Sequence, residues 1–109
     1  MKIKIDLNQI ELQLLSDVVS GVNITEEGLS KLGTRNQFLR FAIIEQVKER
    51  ASKKLLKMQA GKYTFFLSEL IVFSDYLSIM EIEDVHLNAL RSSLEYRIKE
   101  KVYSKKVIE

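Results

Sequence analysis

One pattern occurs twice in this chain, and that repetition constrains the fold more than any other feature. Lys2-Ile3-Lys4-Ile5-Asp6-Leu7-Asn8 leads into a stretch with helical spacing, and Lys62-Tyr63-Thr64-Phe65-Phe66-Leu67-Ser68 leads into another. In the first segment Ile3, Ile5 and Leu7 alternate with Lys2, Lys4 and Asp6. In the second Tyr63, Phe65 and Leu67 alternate with Lys62, Thr64 and Phe66, one Phe falling on the polar side. Period-two alternation with β-branched and aromatic residues predicts half-buried strands.

Each strand is followed by two helical patterns. Asn8 with Glu11 forms a capping pair, and Ile10, Leu14, Leu15, Val18 and Val19 supply an apolar stripe that Gly21 ends. Thr25-Glu26-Glu27 opens one or two turns closed by Gly33, and Thr34 with Gln37 opens a long helix. In that helix Phe38, Phe41, Ala42 and Ile44 widen the stripe of Leu39, Ile43, Val47 and Ala51. In the second half Ser68 is the expected cap, before a helix apolar nearly all round from Leu70 to Met80. Asp84 then caps a last helix with the stripe Leu87, Leu90, Leu94, Ile98 and Val102. One fixed shift lays Leu39, Ile43, Val47 and Ala51 onto Leu90, Leu94, Ile98 and Val102. The expected fold is mainly α with a small β element. Two strand-helix-helix halves, 2–57 and 62–109, form one domain of four main helices on a two-stranded antiparallel ribbon, with internal duplication as the origin of the echo. The expected core is Ile5, Leu7, Ile10, Leu14, Val18, Leu39, Ile43, Val47, Leu67, Leu70, Phe73, Leu77, Leu90, Leu94 and Ile98.

Composition bears chiefly on what the chain is not built to do. Proline is absent and only four of the 109 residues are glycine, which suits helices with few irregular loops. Without cysteine there is no disulfide and no thiolate metal site, and His86 alone cannot make the usual zinc site. No catalytic residue, metal or cofactor is expected. The longest apolar stretch, Leu67 to Ile82, is interrupted by Ser68, Glu69, Ser74, Asp75, Ser78 and Glu81, so neither a membrane span nor a secretory signal is expected, and the cytoplasm is the expected location. Basic residues cluster where the two long helices end, Lys48 to Lys57 and Arg97 to Lys106, where helix carbonyls favour positive charge.

Lys2-Ile3-Lys4-Ile5, a first helix, and then Gly33-Thr34-Arg35-Asn36-Gln37-Phe38-Leu39-Arg40 resemble the ribbon-helix-helix family of DNA-binding repressors. The resemblance implies a ribbon that enters the major groove, with Lys2, Lys4 and Asp6 toward the bases and Thr34 and Arg35 on the DNA backbone; Lys62 of the second strand is a further candidate contact with nucleic acid. Two halves in one chain would be a single-chain version of that family's dimer. The connection between the first and second helices is far longer than the family's turn, so this stands as the alternative.

The leading expectation is a non-enzymatic protein-interaction or accessory domain acting as a homodimer. Two helices apolar on most sides exceed what one small domain buries, and the surplus is placed on Val72, Phe73, Tyr76, Ile79 and Met80 as the interface.

Overall fold

Ile3, Ile5 and Leu7 are buried while Lys2, Lys4 and Asp6 are exposed, as their alternation requires of strand β1 (Lys2–Leu7). The structure, a computed structural model, describes residues 1–33, 37–56 and 59–108, with side chains described for 1–33, 37–50 and 59–104. Strand β2 (Gly61–Phe66) pairs with β1 antiparallel, Lys2 opposite Phe66, Lys4 opposite Thr64 and Asp6 opposite Lys62. The expected ribbon is present. Leu67 is not in it: the strand ends one residue earlier and Leu67 begins a helix.

Both strands run directly into helices. Helix α1 (Gln9–Ser20) starts on a complete capping box, with Glu11 N–H donating to Asn8 Oδ1 (2.8 Å) and Asn8 N–H donating to Glu11 Oε1 (2.9 Å). It ends at Gly21, whose φ of 75° is open to glycine without a Cβ penalty. The amides of Gly21 and Val22 there satisfy the carbonyls of Val18 and Asp17. Helix α4 (Leu67–Ile79) is capped differently from the expectation. Ser68 lies inside its first turn; Phe66 is the N-cap residue and has no oxygen to offer, so Glu69 reaches back to accept from Phe66 N–H (2.6 Å).

Helix α4 is the central element, and its apolar circumference follows from that. It packs against α1, β2, helix α2 (Glu26–Lys31), helix α3 (Gln37–Leu56) and helix α5 (Val85–Ile108). Leu70, Val72, Phe73, Leu77 and Met80 are buried in one cluster with Leu12, Leu14, Leu15, Val18, Val47, Leu94 and Ile98, and Phe73 meets Phe65 edge-on with ring centroids 5.3 Å apart. The expected interface on this helix is therefore corrected in part: Val72, Phe73 and Met80 are enclosed by their own chain, and Tyr76 and Ile79 are half-buried.

Three expected core residues are also outside: Ile10, Leu39 and Leu90 are 47%, 56% and 38% exposed. On α1 and α3 the start of the buried stripe is displaced by about one residue, and on α5 the expected stripe is kept but for Leu90. On α1 it runs through Glu11, Leu14, Leu15 and Val18, because the capping box turns Glu11 inward. On α3 it runs through Ile43, Ile44 and Val47, and on α5 through Leu94, Ile98 and Val102. Helix α2 closes the open end of α4. Gly28 is buried there, and a Cβ at that position would stand 3.3 Å from the Ile79 carbonyl oxygen, so glycine permits the close approach.

Candidate interaction surface

The first two turns of α3 carry the apolar surface that the core does not use. Phe38, Leu39 and Phe41 are 92%, 56% and 65% exposed. The facing side of α3 is held down by Arg40, whose Nε meets Asp75 Oδ2 of α4 at 3.4 Å, and by buried Ile44 and Val47. Fixing that side to α4 turns Phe38 and Phe41 away from the core. Between them and α2 lies a cleft of about 430 Å³ lined by Leu29, Leu32, Phe38, Phe41 and Tyr76. Of the residues expected to form an interface, Tyr76 alone lines this cleft. Burial raises its hydroxyl pKa above the ordinary 10.0, against the lowering effect of nearby Arg40.

The outward face of the ribbon is the second surface. Lys2, Lys4 and Lys62 are exposed there, and Arg35 lies outside the described residues together with Thr34 and its expected cap. Phe66, the aromatic residue on the polar side of β2, is half-buried on the same face. Lys2 Nζ lies 5.7 Å from its ring centroid and the Arg50 guanidinium carbon 4.9 Å from it, so two cations cover the ring.

Beneath the ribbon ends sit two reciprocal ion pairs that the sequence did not disclose. Glu11, on the helix that follows β1, bonds Arg97 from α5; Glu69, on the helix that follows β2, bonds Arg50 from α3. Arg97 also donates to the Asp6 carbonyl at the end of β1. Both carboxylates are buried, and both hold a helix N-terminus at the same time. Glu69 Oε2 is buried without a hydrogen-bond partner among the described residues. Each half thus clamps the start of the other half's first helix. The glutamates were visible as capping residues, but nothing in linear spacing pairs Arg50 with Glu69 or Arg97 with Glu11. Arg50 and Arg97 belonged to the clusters read as helix-end charge, and here they make specific pairs.

No protein-family model, no curated protein and no solved structure matches this chain.

His86 is exposed near the start of α5, and among the described residues no group of three His, Asp or Glu side chains could hold a metal ion. Among the same residues no helix is long and apolar enough to cross a membrane. An apolar ridge beside a cleft and a basic ribbon face are two surfaces where geometry offers recognition.

Proposed function

We propose that this chain is a non-enzymatic interaction module of the cytoplasm that works as a homodimer joined through α3. The observation that carries this reading is the exposure of Phe38, Leu39 and Phe41 beside the cleft lined by Leu29, Leu32 and Tyr76. A ridge and a socket side by side on one patch are self-complementary. A twofold axis would seat the Phe38–Phe41 ridge of each copy in the other's cleft, the isologous arrangement of most dimers. Burying three large apolar side chains also removes the surface that a lone chain leaves in water. Light scattering after size exclusion tests this. The wild type is expected at twice the chain mass, and Phe38→Ser with Phe41→Ser at the chain mass with an unchanged circular dichroism spectrum. A wild type that is monomeric at about 100 μM, or a double variant that stays dimeric, rejects the α3 dimer.

A second reading, a DNA-binding regulator resembling a single-chain ribbon-helix-helix protein, is favoured by one observation. Lys2, Lys4 and Lys62 stand exposed on one face of a two-stranded ribbon. Lysines there would contact phosphates and release counterions, so binding would weaken steeply with salt. Titration against generic duplex decides it, because absence of binding at about 50 mM salt rejects the DNA reading.

A further inference from the structure

We propose that the open edge of β1 takes up an extended acidic peptide as a third strand of the ribbon. The main chain supplies the first part of the argument. Leu67 N–H donates to the Met1 carbonyl (3.2 Å), which fixes the phase of the ladder. The rungs that exchange hydrogen bonds are then Ile3–Phe65, Ile5–Tyr63 and Leu7–Gly61. Lys2, Lys4 and Asp6 consequently turn their N–H and C=O groups away from β2, toward the free edge. The Asp6 carbonyl is occupied by Arg97, which closes that end of the edge. The edge positions at Lys2 and Lys4 remain, a spacing that matches alternate residues of an added strand.

The surroundings of the edge say what kind of strand fits. Between Ile5–Asp6 and residues 96–104 of α5 runs an open groove of about 1050 Å³. Tyr96 and Tyr103, 64% and 57% exposed, stand along it with Lys99 and Lys101. A third strand would set alternate side chains beside the exposed Lys2 and Lys4 on the outward face, where carboxylates are favoured. The intervening side chains would meet the tyrosine rings, where apolar groups are favoured. The occupant is thus a segment alternating acidic and apolar residues. Exposed tyrosines with lysines can also stack single-stranded nucleic acid. The alternating main-chain donors and acceptors of the β1 edge, however, match a polypeptide better than a phosphate chain.

The test uses the full chain and a fluorescein-labelled nonapeptide of alternating valine and glutamate, followed by fluorescence anisotropy. Binding is expected in the micromolar range, with about tenfold loss when the peptide is N-methylated at every second residue on its bonding edge. The lysine–valine counterpart is expected to bind at least about tenfold more weakly. Lys4→Pro removes an edge N–H without touching a β1–β2 hydrogen bond, and is expected to lose about tenfold where Lys4→Gln loses about threefold. Should Lys4→Pro fail to fold, the N-methylated peptide on the wild type probes the same main-chain hydrogen bonds from the other side. The idea is overturned by no binding up to about 1 mM, by indifference to N-methylation, or by tighter binding of labelled oligothymidylate. The third-strand site is independent of the α3 dimer: Phe38→Ser with Phe41→Ser should leave peptide affinity unchanged, and Lys4→Gln should leave the oligomeric state unchanged.

Discussion

Glu69 and Arg50 show how much one pair of side chains can hold. The carboxylate is 1% exposed and accepts from both the guanidinium and the Phe66 amide, so it joins α3, α4 and the end of β2. Removing Arg50 leaves a buried charge with a single donor. Because the Arg50 side chain is 39% exposed, Arg50→Ala is expected to cost about 2 kcal/mol, below the roughly 3–5 of a fully buried pair. Combining Arg50→Met with Glu69→Gln should cost less than the sum of the single changes, and urea unfolding of all four proteins measures the coupling. Two other side chains set a pH dependence. A hydrogen bond to Glu95 raises the Lys99 pKa above 10.5, and burial raises that of Tyr76 above 10.0. Folded values above unfolded ones mean stability that is complete below about pH 10 and is lost as pH rises through the folded values. The urea midpoint should therefore fall between about pH 9 and pH 11, and Tyr76→Phe should reduce the fall.

Among the elements, the two strand-to-helix junctions differ in how they are made. Asn8 and Glu11 supply both halves of a capping box, whereas Phe66 and Glu69 supply only one. Asn8→Ala should therefore destabilise the fold by about 1 kcal/mol, measured by thermal or urea unfolding, and Ser68→Ala should stay within about 0.5 kcal/mol. The helices also differ in which face they commit. In α5 Leu94 is fully buried, and Leu94→Ala should cost about 2–5 kcal/mol. In α3 Leu39 belongs to the same repeating stripe by sequence yet is 56% exposed, so Leu39→Ala should change monomer stability by less than about 0.5 kcal/mol. The two helices read alike in sequence because both repeat an apolar residue every four positions. What separates them is that α5 turns Leu94 onto α4, while the first turn of α3 meets α4 through the Arg40–Asp75 pair and leaves Leu39 facing outward.

For the whole molecule, the ribbon brings two helical units together and the crossed Glu–Arg pairs fasten each to the other. The halves are unequal in one respect. The first carries α2, and α2 occupies the end of α4, leaving the apolar start of α3 uncovered. If that surface joins two copies, unfolding becomes coupled to association, and the melting temperature should rise with protein concentration. A melting temperature independent of concentration from about 1 to 100 μM would count against the dimer.

The alternation of β1, the Asn8–Glu11 and Thr25 caps, Gly21 and the Asp84 cap were legible in the sequence because each acts between near neighbours, and the structure places them as read. Pairing of the strands followed from two half-apolar segments that each needed a partner. Tertiary structure decided that of the two helices read as apolar on most sides α4 takes the centre, since one small core has room for only one helix surrounded on all sides. It alone brought Arg97 to Glu11 and Arg50 to Glu69, pairs set by three-dimensional distance and carrying no mark in linear spacing. The apolar surplus therefore moved from Val72, Phe73 and Met80 to Phe38, Leu39 and Phe41, because burial depends on what the rest of the chain lays over a residue.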